Sequence, residues 1–282
     1  MPAPQPTIFK QAARMKFASF GLKVPPKWQQ PQGVAAEHFA KAFKPEELST
    51  TPGTSVGTPP LFLPATLNKY HTDAQKMLIA KFGEFIDKMS ESICNAIGNW
   101  MSTASMTGIL VNGLTATGGQ LVGPPLAPLI IAQAQNKTPM QLKFTTAIAN
   151  VFSNAWMSYT ATIKIPGLPM FPAFLAVPSP VAPPTPNVPF PIAALTQVPA
   201  SLQPPLLKQQ MVAALGDPKA PYSNELFESL CDAFDKVFKV WQTTTMITNV
   251  IGSGPVPTFL PPAVPAGPVV GGIANMPPGG LK

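Results

Sequence analysis

The 282-residue chain is charged at only 11% of its positions, against roughly 25% in ordinary soluble domains, and 38 of its residues are proline. So sparse a charged surface argues against a solvated monomer and implies that protein or lipid covers much of the exterior. The formal net charge of +7 rests on lysine, with Arg14 the only arginine, which disfavours reading of base edges or clamping of phosphates, tasks suited to the guanidinium fork.

Residues 1–72 read as a basic, irregular N-terminal arm, in which Lys10, Arg14, Lys16, Lys23 and Lys27 all precede the first acid, Glu37. A short amphipathic piece, Ile8 to Phe20, gathers Ile8, Phe9, Ala12, Met15 and Phe20 on one side before Gly21 and Pro25-Pro26 stop it. Val34 to Phe43 repeats the idea, and residues 50–64 are a loop by their Gly, Pro and Thr content. The lysines read first as a tail held against a neighbour and second as attraction to an acidic surface. No apolar signal segment opens the chain, so synthesis in a cytoplasm is expected.

Residues 73–135 form the first helical unit, with a Gly/Pro-rich tail. Asp73 suits an N-cap, and Leu78, Phe82, Phe85/Ile86, Met89, Ile93, Ile97 and Trp100 make a continuous stripe. A helix is expected over about 74–113. After Glu91 no charge occurs until Lys137, a run long enough for two membrane spans. It is broken by Asn112-Gly113, Gly118-Gly119 and Pro124-Pro125, so no unbroken apolar segment of about 20 residues exists.

Residues 136–205 hold a second helix, expected over about 141–165, with Phe144, Ile148, Phe152, Trp156, Tyr159 and Ile163 on one face. Pro166 and Gly167 end it, and the proline-dense Pro166 to Pro191 is expected to run as a polyproline-like arm. Residues 206–282 hold a short helix, Leu206 to Leu215, then a third principal helix over about 224–250 with Asn224 as N-cap, and a second arm, Gly252 to Pro268.

The second and third helix-plus-arm units align without a gap. Trp156 falls on Trp241, Gly167 on Gly252, Phe174 on Phe259 and Leu175 on Leu260. A weaker first copy places Trp100 in Asn-Trp-Met-Ser against Ala-Trp-Met-Ser at Trp156, and ESICNA (91–96) matches ESLCDA (228–233). Units too small to bury their own faces stack on each other or on other chains. The expected fold is therefore mainly α, three degenerate helix-plus-arm units with extended connections and no sheet domain.

Catalytic constellations are lacking. His38 and His71 are the only histidines, and His71 beside Asp73 reads as a solvated pair at a helix start. Gly118-Gly119 and Gly271-Gly272 lack the Lys-Ser/Thr of a phosphate loop. Cys94 and Cys231 sit at matching places in apolar helices, where free thiols act as small hydrophobes, and a disulfide between them is disfavoured. No enzyme activity, cofactor or metal is expected.

The expected role is a structural subunit whose partners are other structural subunits and copies of itself. Trp100, Trp156, Trp241, Phe174, Leu175, Phe259 and Leu260 are its candidate subunit contacts, and the arms bind in trans along neighbouring helices. In its low charge and extended arms the chain resembles accessory structural subunits of phage tails and tail-like contractile injection devices. That resemblance implies a part in a tail, baseplate or cap, and a final location in the assembled particle. The alternative reading is a membrane-inserting or membrane-active protein that uses its uncharged helices.

Overall fold

The computed structural model describes residues 3–22, 64–136, 138–170, 176–218, 220–257, 259–260, 264–265 and 267–282, with the backbone alone for 64–75, 259–260 and 264–265. The expected helix at Val34 to Phe43, together with Lys23, Lys27, His38, Phe174 and Leu175, lies outside these residues. Two compact units are present: Met1–Phe17 with Ile86–Lys282, and Ala18–Phe85. The smaller is described chiefly as the N-terminal part of a long helix.

Six helices occur among the described residues: α1 (Pro6–Ser19), α2 (Pro64–Thr103), α3 (Leu126–Gln133), α4 (Pro139–Thr162), α5 (Pro204–Leu215) and α6 (Ser223–Thr244). Their limits follow local chemistry. Thr138 caps α4 by accepting the Gln141 amide, and Pro139 sits where its missing N–H costs nothing. Gly216, in the left-handed region at φ 61°, closes α5. In α6 the buried Leu226, Phe227, Leu230, Phe234, Val237, Phe238 and Trp241 keep the three-and-four spacing. Asp73 and His71 fall inside α2 rather than at its start. In α1 the buried face is Phe9, Ala13 and Phe17, while Ile8 and Met15 are exposed.

The expectation of no sheet domain is overturned. Strands β1 (Ser105–Asn112), β2 (Thr115–Val122), β3 (Ile165–Pro169), β4 (Val181–Thr185), β7 (Ile251–Pro255) and β10 (Gly272–Met276) form one six-stranded antiparallel sheet in the order β3-β2-β1-β10-β7-β4. Two small pairs accompany it, β5 (Phe190–Pro191) with β6 (Met246–Ile247) and β8 (Phe259–Leu260) with β9 (Val264–Pro265). Beyond the edge strands, Met170 bridges to Asn187 and the Val188 amide donates to the Pro169 carbonyl at 3.0 Å. The two edges are thereby joined and the sheet curls into a narrow barrel. The first helix also stops sooner than expected, at Thr103, and the chain to residue 113 is β1 and its turn.

Parts of both proline-rich arms, β3 and β4 in the first and β7 in the second, are strands of this barrel. β3 pairs with β2, and β4 pairs with β7. Arms expected to lie along neighbouring chains are thus paired within their own. Proline is accommodated at irregular points of the ladder: the register slips between Ala182 and Thr185, which flank Pro183 and Pro184. Further slips lie between Met106 and Ile109 and between Ala116 and Gly118.

The barrel interior combines large aliphatic side chains with alanine and glycine. Met106, Ile109, Ala116, Leu168, Ala182 and Ala274 are almost fully buried. Glycine stands where backbones approach most closely. A Cβ on Gly252 would come within 2.8 Å of Met170 Cε, across the interior, and one on Gly254 would run into the Cα of Gly272 and lie 2.8 Å from Val269 Cγ1. Gly254→Ala is expected to lower the free energy of unfolding by about 1–3 kcal/mol, as overpacking does, while Gly271→Ala, whose added Cβ meets nothing within 4 Å, tests only its positive φ. Urea denaturation of the two variants checks this, and an unchanged midpoint for Gly254→Ala would refute the close approach.

Candidate functional site

Three helices each lead into one pair of barrel strands. α2 is followed by β1 and β2, α4 by β3 and β4, and α6 by β7 and β10. At the helix ends Trp100 and Trp156 meet edge to face with ring centres 5.2 Å apart, and Trp156 and Trp241 lie 5.4 Å apart. The Trp241 Nε1 donates to Met101 Sδ at 3.2 Å. All three indoles are 1–2% exposed. They lie together in the core of the chain rather than on a face that another subunit could reach. Phe152, Phe234 and Phe238 extend the cluster along α4 and α6.

Gly123 lets β2 leave the barrel past this cluster, since a Cβ there would press on the Trp100 indole, 2.7 Å from Cε2. Beside it lies a cavity of about 370 Å³ bordered by Trp100, Val122, Pro125, Ser153, Trp156 and Met157. Val122 and Met157 are exposed at its rim. Trp156 Nε1 is buried without a hydrogen-bond partner, and Ser153 Oγ accepts the Leu126 amide. The wall contains no acid, base or activated nucleophile.

Nearby polar groups hold structure together. The Tyr159 hydroxyl donates to Gln197 Oε1 and accepts from Gln242 Nε2 at 3.3 Å, while Gln197 Nε2 donates to the Ile192 carbonyl. Burial pushes the Tyr159 phenol up to about 12. Asn187, 2% exposed, accepts the Val250 amide at 2.7 Å and donates to the carbonyls of Val188 and Ile247. It ties the end of β4 to the link between α6 and β7. Cys94 and Cys231 are both free and buried; burial pushes the Cys94 thiol up to about 12 and raises that of Cys231. Among the described residues no group of three or more His, Cys, Asp or Glu could hold a metal ion. None of the described helices is long and apolar enough to cross a membrane.

The basic N-terminal residues find acids in their own chain. Arg14 forms a two-pronged pair with Asp87, both contacts 2.7 Å, and Lys10 reaches Glu91 at 2.7 Å. Lys16 meets Glu228 and Asp232 at 3.0 and 2.9 Å, and Lys208 also binds Glu228 at 2.6 Å. α1 is thereby fastened to α2 and α6.

Charge is absent from the barrel. The uncharged runs 92–136, 165–207 and 240–281 contain all six of its strands. Alternation along them turns Leu110, Val122, Val181, Ile251 and Ile273 outward into solvent, with Leu110 and Ile273 directly paired across β1 and β10. That outer face was missed in the sequence, although Asn112-Gly113 between apolar alternations is a hairpin signal. The exposed barrel surface is the candidate functional site. Of the residues proposed as subunit contacts, Phe259 and Leu260 lie in β8, away from the six barrel strands in sequence.

The hydrogen bonds from Lys208 and Lys16 hold the Glu228 carboxyl below its ordinary value of 4.5, and the pair with Asp232 raises Lys16 above 10.5. The Glu228 contribution is complete above pH 4.5 and lost as pH falls through its lower folded value; that of Lys16 is lost only as pH rises through its raised one. Because these groups are largely solvated, the effect is small. Peptide-resolved hydrogen exchange, corrected for intrinsic rates, should show α1 losing protection in about 1 M salt and below about pH 4, before α6 does. Unchanged protection of α1 would show that Phe9, Ala13 and Phe17 suffice to hold it.

Against known proteins, no family model, curated protein or solved structure matches the chain.

Proposed function

We propose that the chain is a non-enzymatic structural subunit of a multi-chain particle, of the kind that builds phage tails and contractile injection devices. The observation that carries this reading is the barrel's exterior, an uncharged sheet surface displaying Leu110, Val122, Val181, Ile251 and Ile273. Exposed apolar side chains on an uncharged surface mark sites of association. A contact made there replaces the trans-lying arms, because the described arm segments are already paired in the chain's own ladder. The side chains that would carry catalysis are missing from the one apolar cavity described above, and the buried thiols are held protonated. Lys10, Arg14 and Lys16, occupied by Asp87, Glu91, Glu228 and Asp232, serve internal fastening.

The test is sedimentation of extracts from cells that produce the full chain. The wild-type protein should travel in a fast-sedimenting fraction. The double variant Leu110→Lys with Ile273→Lys should return to the monomer position with its thermal midpoint within about 2 °C of wild type, as expected for surface changes of under ~0.5 kcal/mol. Wild-type chain found only as a monomer would overturn the proposal.

A further inference from the structure

The order of strands around the barrel carries information that no single strand does. Starting at β2 and going round, the sequence is β2-β1, β10-β7, β4-β3, the last couple joined by the Met170–Asn187 bridge, after which the β3–β2 ladder returns to the start. Each of these couples belongs to one helix: α2, α6 and α4 respectively. Within every couple the later strand precedes the earlier in the same sense of rotation. The seams between couples are therefore equivalent too, each joining the first strand of one unit to the second strand of another: β1 with β10, β7 with β4, and β3 with β2. All three seams are antiparallel, and all three carry a register slip. The chain has the connectivity of a threefold ring of helix-plus-two-strand units, matching the repeat that sets Trp156 on Trp241 and Gly167 on Gly252.

The outward residues at the seams are all uncharged. Leu110 faces out beside Ile273, Pro255 beside Val181, and Thr115 beside the half-buried Pro169. None is charged, so a partner surface complementary to all three must be uncharged as well. Three similar faces set around one barrel are matched by three copies of one chain, since a threefold partner presents the same patch three times.

We infer that the barrel is gripped by a homotrimeric partner protein, three identical chains closing around its three uncharged seams, with one copy of this chain on each threefold axis. This rests on the structural-subunit reading and adds the partner's symmetry and the stoichiometry to it. A second copy of the same chain is a poorer fit, because two such barrels share no closed threefold relation.

The full chain, tagged at its C-terminus and expressed in its own producing cells, is isolated together with its bound proteins, and the complex is weighed by native mass spectrometry. One copy of this chain with three identical partner chains is the expected result. Three single variants, Ile273→Lys, Val181→Lys and Thr115→Lys, place one charge on each seam at exposed positions. Each should reduce the recovered partner by a similar factor, about tenfold for one disrupted seam, with thermal midpoints unchanged. A ratio other than one to three, a complex of this chain with itself, or loss of partner from only one of the three variants overturns the inference and leaves the structural-subunit reading standing. A chain that is isolated alone as a monomer overturns both.

Discussion

Six antiparallel strands closed on themselves leave little interior width, so glycine and alanine must make room for buried Met106, Ile109 and Leu168, and that restriction governs the rest of the molecule. Eight strands are about what is needed for ordinary side chains to fill a barrel. Here Gly252, Gly254 and Gly272 supply the missing space, and Ala116, Ala182 and Ala274 occupy much of what remains. None of the six strands carries an aromatic residue. The aromatic side chains are gathered on the helices, where Trp100, Trp156, Trp241, Phe152 and Phe234 make a second core. Burial of that many aromatic side chains, at about 1.5–3 kcal/mol each for a large apolar group, is where the cohesion of the unit resides.

The same restriction explains what could and could not be read from the residues. The helices were legible because Phe144, Ile148, Phe152, Trp156 and Tyr159 repeat at the helical period, and the shared register of Trp156 and Trp241 exposed the duplication. β7 and β10 were not, because their inward positions hold Gly272, Ala274 and Gly252 in place of Val or Ile, so the period of two has almost no hydrophobic amplitude there. Prolines 166, 169, 183 and 184 then mimic an extended arm, although the ladder receives them at its slips and flanks. One local clue survived in Asn112-Gly113, with Gly113 at φ 58° in the turn between β1 and β2.

The candidate site was legible in a different way. The uncharged run 92–136 posed the question of membrane insertion. That run holds β1 and β2, and the other two uncharged runs hold the remaining four strands, so the lack of charge belongs to the sheet, whose outside displays apolar side chains. The indoles singled out as contacts turned out to be internal, since a side chain that recurs with a packing unit serves that unit's own core first. The basic N-terminal segment likewise serves the fold, as Arg14 and Asp87 form a paired fork-to-carboxylate contact within one chain.

Barrel closure also has a temporal side. β1 pairs with β10, so that Met106 sits opposite Met276. During synthesis the hairpin of β1 and β2 emerges early but keeps an open flank until β10, the last strand, has been made. β7 waits for the same strand. Non-local pairings of this length form slowly, and an unpaired sheet edge in a nascent chain is a template for association with other chains. β7, IGSGP, offers only Ile251 as a large apolar side chain while it waits, which weakens that hazard. A sequence that disguises its sheet from a reader also disguises it from neighbouring nascent chains until the ring can shut.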